Sequence, residues 1–167
     1  PEGGPTKIWS VEGVGQGYAT VAVVDGMVYT TGVFGTEGKL IALRDGKIIG
    51  MSAYGRDVDK GGGYPGTRST PTIADGRIFV MSGFGVVTCF DQTTGKGLWQ
   101  VDTFTTFGGQ QIGWNVAESL LVDGDRVICT PGGNKALMAA LDVRSGKTVW
   151  ATRGIDSKSA YCSPVIA

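Results

Sequence analysis

Six polar and aromatic residues have side chains suited to binding: Tyr64, Arg68, Trp114, Asn115, Glu118 and Tyr161. An arginine can clamp a carboxylate with paired hydrogen bonds. The carboxylate of Glu118 and the amide of Asn115 supply oxygen atoms of the kind that Ca²⁺ prefers. Trp114 offers a flat surface on which a ring can stack. These residues are therefore candidates for a ligand site, and no residue is singled out as catalytic.

The composition excludes several kinds of site. The 167 residues contain no histidine, which removes Ser-His-Asp and Cys-His catalysis and the usual zinc and haem ligands. The 15 Lys and Arg balance the 15 Asp and Glu, so no basic surface indicates nucleic acid. No apolar run is long enough for a transmembrane segment. Cys89, Cys129 and Cys162 have apolar, strand-like surroundings, which predict buried and unbonded thiols.

Two interleaved repeats with a period near 50 residues must position the six candidates. The first is an Asp-x-x-Thr/Ser-Gly-Lys turn that leads into a tryptophan at 99 and at 150, with a degenerate copy at 42–49, and its Gly-Lys pairs recur at 46, 95 and 146. The second is an Asp-Gly pair between apolar residues, at 25, 75 and 123, which indicates a tight β-hairpin. Joined by a glycine-rich turn, such as residues 82–85, the two repeats predict four antiparallel strands in about 50 residues, the size of one propeller blade.

We therefore predict an all-β fold, a β-propeller fragment of about three four-stranded antiparallel blades plus edge strands, in one partial domain over 1–167. The blades are expected at about 20–51, 70–101 and 119–152. A closing outer strand is expected at about 7–11, and the next blade begins at 163–167. Since propellers typically have four to eight blades, the expected partners are the remaining blades of the same propeller or another protein.

Recurring turn and strand residues are predicted to be structural: Trp9, Asp91, Gly95, Trp99, Asp142, Gly146 and Trp150. The tryptophans are expected to be buried in the gaps between neighbouring blades. The aspartates are expected to accept hydrogen bonds from backbone amides of their own turns, which the glycines complete.

Three long connections, at about 52–69, 102–118 and 153–162, carry the six candidates. Each joins the outer strand of one blade to the inner strand of the next, so all three should open on one face and converge on the central channel. Arg68, Glu118 and either Tyr161 or Cys162 should lie nearest the axis. Loops of this length are usually functional or disordered. In the structural alternative, Trp114 packs its loop and Arg68 pairs with Glu118.

The segment 140–150, ALDVRSGKTVW, resembles the tryptophan-docking motif of the pyrroloquinoline-quinone (PQQ)-type repeat, in the quinoprotein alcohol dehydrogenase-like superfamily. The segment 63–71 also resembles one that is common in secreted members. The resemblance implies a ring of seven or eight blades and a bacterial periplasmic or secreted location. It does not fix the function, because the superfamily holds both dehydrogenases and a non-catalytic propeller lipoprotein of outer-membrane protein assembly.

The leading functional prediction is a cofactor-free binding or scaffold module that takes a protein or a small-molecule ligand on its loop-rich face. The alternative is a dehydrogenase of alcohols or sugars that uses PQQ and Ca²⁺, with Glu118 and Asn115 as metal ligands and Arg68 polarising the quinone. A second alternative is a structural matrix or layer component. Quinoprotein dehydrogenases often carry adjacent cysteines beside the cofactor. The sequence has no such pair, which favours the binding module.

Overall fold

The computed structural model describes residues 3–57 and 64–166, and its strands form three antiparallel sheets of four strands. The first sheet contains β1 (Ala22–Val24), β2 (Met27–Phe34), β3 (Glu37–Arg44) and β4 (Lys47–Arg56). The second contains β5 (Thr72–Ala74), β6 (Arg77–Met81), β7 (Val86–Asp91) and β8 (Gly97–Asp102). The third contains β9 (Leu121–Asp123), β10 (Arg126–Cys129), β11 (Ala139–Asp142) and β12 (Thr148–Ala151).

Each sheet is a meander, because the strands are hydrogen-bonded in the order in which the chain makes them. In the first two sheets the Asp-Gly pairs form the first hairpin turn, as at Asp75 and Gly76, whose φ angles are 48° and 71°. Two successive left-handed residues match the right-handed twist of the flanking strands. In the third sheet Asp123 pairs with Arg126, so the turn is formed by residues 124–125 instead. The all-β fold class, with blade-like sheets of a propeller fragment, is thereby confirmed.

The hydrophobic core lies between the sheets, which stack face to face. One cluster joins the first two sheets and contains Tyr29, Leu40, Ile78, Val80 and Phe90, among others. A larger cluster joins the second and third sheets, with members such as Phe79, Val87, Val127 and Leu141. Since neighbouring residues of a strand point to opposite faces, the second sheet is covered on both sides.

A chain of hydroxyl groups links the segments that enter successive blades. The backbone N–H of Thr20 donates to Oγ1 of Thr70 at 3.2 Å, and the N–H of Thr70 donates to Oγ of Ser119 at 3.0 Å. The N–H of Ser119 in turn donates to Oγ of Ser163 at 2.9 Å. The repeat thus places a residue with a hydroxyl group at the entry to every blade. The oxygen of this hydroxyl accepts a hydrogen bond from the backbone N–H at the entry to the preceding blade.

The turn between β7 and β8 and the turn between β11 and β12 have the predicted form. In the second of these, the Asp142 carboxylate accepts hydrogen bonds from the hydroxyl and N–H of Ser145, at 2.6 Å and 2.8 Å. These bonds and the N–H of Arg144 lower the pKa of Asp142 below its ordinary value. Asp91 makes the corresponding bonds to Thr94 and Thr93, which lower its pKa in the same way.

Trp99 lies between the second and third sheets. Its indole N–H donates to the carbonyl of Val143 at 3.1 Å, and its ring centroid is 5.9 Å from that of Phe79. A Cβ atom added to Gly146 would lie only 2.8 Å from the indole, so the ring rests directly on this glycine. Trp9 lies in the same way against Gly46, where an added Cβ would be 3.1 Å from the Cβ of Trp9.

Several details differ from the sequence-based expectations. Trp99 and Trp150 are half-buried rather than fully buried, and Trp9 is 45% exposed. Residues 7–11 form no strand, because no described strand pairs with them. In the segment predicted to start the next blade, residues 163–166 form no strand either, and residue 167 lies outside the described residues.

The connections also differ in detail. β4 continues to Arg56, so the first connection begins later than predicted. The second contains a short helix, α1 (Thr103–Phe107), which is capped by the Asp102 side chain. Cys89 and Cys129 are buried as predicted, but Cys162 is exposed because no described sheet covers it. No helix within the described ranges has the length and apolar character needed to cross a membrane.

Candidate functional site

Aromatic side chains from four connecting segments meet at one end of the sheets. The rings of Tyr18 and Tyr64 are 6.5 Å apart in an edge-on arrangement, and those of Tyr64 and Trp114 are 6.0 Å apart. The backbone N–H of Trp114 donates to the hydroxyl of Tyr161 at 3.1 Å. We call these four residues, Tyr18, Tyr64, Trp114 and Tyr161, the aromatic row. The row spans the entries to three successive blades and the segment after β12.

The aromatic row is an exposed surface. Its members are 59%, 56%, 49% and 53% exposed in chain order. Each presents an apolar ring together with a polar N–H or O–H, a combination that is enriched at protein interfaces. Tyrosine and tryptophan also lose little conformational entropy when they are ordered, so they provide much contact area at low cost. The row therefore has the chemistry of a binding surface.

Arg68 adds a fixed positive charge to the end of the aromatic row. Its two terminal nitrogens donate to the carbonyls of Tyr64 at 2.8 Å and Gly66 at 3.2 Å. Its guanidinium carbon also lies 5.9 Å from the ring centroid of Tyr18, within the range of a cation–π contact. The contacts hold the guanidinium in place beside the rings. They also replace the predicted ion pair, since Arg68 bonds to carbonyls of its own loop rather than to Glu118.

Glu118 points into the third sheet rather than toward the aromatic row. It is 1% exposed, and its carboxylate accepts hydrogen bonds from the N–H of Thr130 at 2.9 and 3.0 Å and from the Thr130 hydroxyl. Burial raises the pKa of Glu118 from its ordinary value to about 7, although the bonds from Thr130 act in the opposite direction. In the second sheet, the N–H of Met81 donates to Oγ of Ser69 at the corresponding position. Glu118 thus accepts a hydrogen bond from the backbone N–H that follows β10, and Ser69 has the same role in the second sheet.

The side chain of Asn115 has a different hydrogen-bond partner from that of Glu118. Its amide oxygen accepts a bond from the side-chain amide of Gln111, and its backbone has a φ of 64° in the left-handed region. Ca²⁺ takes six to eight oxygen ligands. Among residues 3–57 and 64–166, no group of three or more His, Cys, Asp and Glu side chains is placed to hold a metal ion. Within the described residues, Glu118 and Asn115 thus hydrogen-bond to separate protein groups, Thr130 and Gln111.

The structure brings together four of the six predicted site residues: Tyr64, Arg68, Trp114 and Tyr161. Tyr18 was missed by sequence reasoning, although the repeat contained a signal for it. Tyr18 lies two residues before the entry hydroxyl of its blade, as Arg68 and Tyr161 do in theirs. Tyr18 precedes the first predicted blade and therefore lies outside the three long connections that carry the predicted candidates.

Known proteins resemble the chain in both sequence and fold. A family model described as outer membrane protein assembly factor BamB matches residues 44–167. No curated protein matches the sequence. The quinohemoprotein alcohol dehydrogenase ADHIIG from Pseudomonas putida HK5 has a similar structure, with 23% identity, a TM-score of 0.61, and coverage of 86% of this chain and 22% of that chain. BamB from Moraxella catarrhalis has 20% identity, a TM-score of 0.55, and coverage of 81% and 36% respectively.

A designed protein gives the same result for the fold. The computationally designed Ika4 protein has 15% identity and a TM-score of 0.62, with 92% of this chain and 83% of that chain covered. At such identities the structural likeness shows the fold alone, and the chain spans about a fifth to a third of the natural proteins that it matches. The family model, in contrast, matches well over half of the chain. The chain therefore belongs to the PQQ-like repeat family of β-propellers that this model describes.

Proposed function

We propose that the protein is a secreted or periplasmic binding and scaffold module that takes a protein partner on its loop-rich face. The observation that carries the proposal is the aromatic row with Arg68 beside it. Half-exposed rings that are held by one another and by an ordered arginine form a surface that is organised before binding. Trp, Tyr and Arg are also the residue types in which interface binding energy concentrates.

The shape of the surface favours a protein over a small molecule as the ligand. Small-molecule sites are concave and bury most of their ligand. The aromatic row instead extends across several connections with about half of every ring in solvent. The matching family is described as an outer membrane protein assembly factor, and a name that refers to the assembly of proteins supports the same choice.

The proposal is tested by placing a photo-crosslinking amino acid in the full-length protein, in its native cell. Position 114 is the probe, and position 75 is the matched control. Asp75 is exposed but lies in a hairpin turn at the opposite end of the sheets from the aromatic row. We expect position 114 to crosslink to one recurring protein that position 75 does not reach. Equal crosslinking from both positions, or none from position 114, would contradict the proposal.

Replacing Trp114 with alanine should then weaken binding of the crosslinked partner about 30-fold, because loss of a central aromatic residue typically costs about 2 kcal/mol or more. Isothermal titration calorimetry with the purified proteins measures the change. Leu98→Ala is the control, because Leu98 is 46% exposed on the outer strand of the second sheet, away from the row. If Trp114→Ala binds the partner with an affinity within twofold of that of Leu98→Ala, the aromatic row is not part of the interface.

The dehydrogenase alternative is tested with the same protein. PQQ and Ca²⁺ are titrated into the full-length protein, and oxidation of alcohols and sugars is followed with a redox dye. We expect neither saturable cofactor binding nor turnover. Micromolar PQQ binding that is lost in Arg68→Ala would favour the dehydrogenase and displace the proposal of a scaffold.

A further inference from the structure

The tryptophan that packs between blades is replaced by glycine in the first sheet. In the second and third sheets, tryptophan follows the turn glycine by four residues, at 99 and 150. Gly50 follows Gly46 by the same interval. The strand register agrees. In each sheet the pairing between the third and fourth strands shifts by one residue near the turn, and Gly50, Trp99 and Trp150 are the residues that pair directly after this shift. Gly50 is therefore the structural equivalent of Trp99.

The surroundings of the absent indole are preserved. Trp99 rests on Gly146, bonds to the carbonyl of Val143 and packs beside Phe79. By repeat position and strand pairing, the corresponding residues at the first interface are Gly95, Gln92 and Tyr29. All three line one cleft between the first and second sheets.

This cleft, which we call the indole slot, has a volume of about 190 Å³. An apolar cavity of about 150 Å³ is enough to bind benzene in another protein, so the slot has room for a small aromatic ring. Its walls combine apolar side chains with the polar turn of the second sheet. The residues that line it are Met27, Tyr29, Leu40, Ala42, Ile78 and Gln92, together with residues 49–52 and 93–95.

The apolar residues on the rim of the slot do not by themselves indicate a protein partner. Ile49 is 57% exposed, but Leu98 and Val149 occupy the same repeat position and are 46% and 48% exposed. Exposed apolar residues on the outer strands are thus common to all three sheets. The slot at Gly50 marks the place where the first interface lacks the tryptophan of the second, and its volume is sufficient for a single ring.

We propose that the indole slot binds a small planar aromatic molecule of about the size of indole. A ring in this place packs beside Tyr29 and stacks on the turn at Gly95. A ring N–H points toward the backbone carbonyl of Gln92, as the Trp99 N–H does toward Val143. The slot lies between the sheets near the turns, at the opposite end from the aromatic row, so the inference is independent of the proposed function.

The experiment uses 5-fluoroindole as the probe and the full-length protein. Binding is followed by fluorine NMR and by calorimetry, at probe concentrations up to about 1 mM, where weak single-ring ligands become measurable. We expect saturable binding of one molecule per chain. Gly50→Trp places the missing indole in the slot and should reduce the affinity at least tenfold while raising the melting temperature.

Val149→Trp is the matched control, because it adds an indole at the same repeat position on the exposed outer strand of the third sheet, away from the slot, and its affinity should equal that of the wild type. Trp99→Gly provides a second approach that does not depend on the folding of Gly50→Trp. It opens an equivalent slot at the next interface, so the number of bound probe molecules should rise from one to two.

Three results would overturn the proposal: no saturable binding, binding that Gly50→Trp leaves unchanged, or binding that Val149→Trp reduces equally. A tryptophan-containing peptide that binds where the free probe does not would also overturn it, since the occupant would then be a side chain of a partner.

Discussion

Replacing Trp99 with alanine is expected to lower the free energy of unfolding by about 3 kcal/mol, at the lower end of the range for large aromatic truncations in cores. The indole joins two sheets, because it packs beside Phe79 of its own sheet and rests on Gly146 of the next. It also satisfies the carbonyl of Val143. The lower end of the range applies because the side chain is half-buried rather than fully enclosed. Urea denaturation of the full-length protein measures the change.

Leu98→Ala is the control for this prediction. Leu98 neighbours Trp99 on the same strand but is 46% exposed, and a surface truncation usually changes stability by no more than about 0.5 kcal/mol. If both variants lose the same small amount, Trp99 does not hold the second and third sheets together. A Trp99→Ala protein that is as stable as the wild type would contradict the packing of the indole between the two sheets.

Most of the fold could be predicted from the sequence because blades repeat their turn chemistry. An Asp-Gly pair and an Asp-x-x-Thr/Ser-Gly-Lys turn each fix a chain reversal through local hydrogen bonds, as at Asp142. With the glycine-containing turn between them, as at residues 82–85, each repeat has three reversals and forms a four-stranded meander. The extent of the last strand was harder to predict, because β4 continues to Arg56 without any local signal in its sequence.

The candidate site could be predicted only in part, because repeat spacing gives a residue's place along the chain but not the direction of its side chain. Glu118 and Arg68 both precede an inner strand, yet Glu118 turns into its sheet to bond Thr130, whereas Arg68 lies on the surface beside Tyr18. The difference arises from tertiary contacts. The half-buried backbone N–H of Thr130, directly after β10, needs an acceptor, and only the three-dimensional structure shows that Glu118 supplies it.

The indole slot illustrates the same limit. The first Gly-Lys repeat is visibly degenerate in the sequence, since it has glycine where the other copies have tryptophan. Whether neighbouring side chains collapse into the vacant place depends on packing, which varies from site to site. The structure shows that Ile49 and Met51 remain 57% and 41% exposed and leave a cleft beside them. A missing tryptophan in one repeat therefore indicates a cleft only when the packing of the surrounding side chains is known.

The second large effect is expected from pH, because the pKa of Glu118 is raised from 4.5 in the unfolded chain to about 7 in the folded protein. The folded state thus holds this proton more tightly than the unfolded state does. The resulting stabilisation is fully present below pH 4.5 and is lost as the pH rises through 7. The pKa difference corresponds to about 3 kcal/mol. Urea denaturation at several pH values between 5 and 8 should therefore show decreasing stability.

Glu118→Gln isolates this effect, because glutamine keeps an oxygen that accepts from the Thr130 N–H but carries no charge at any pH. We expect the variant to lose most of the decline between pH 5 and 8 and to be more stable than the wild type at pH 8. Glu37→Gln is the matched control, since the side chain of Glu37 is 50% exposed in an ion pair with Lys39, and its pH dependence should match that of the wild type. Wild-type stability that stays constant or rises over this range would contradict the prediction. It would mean that the Glu118 carboxylate is ionised at little cost, because the hydrogen bonds from Thr130 then offset the desolvation that burial imposes.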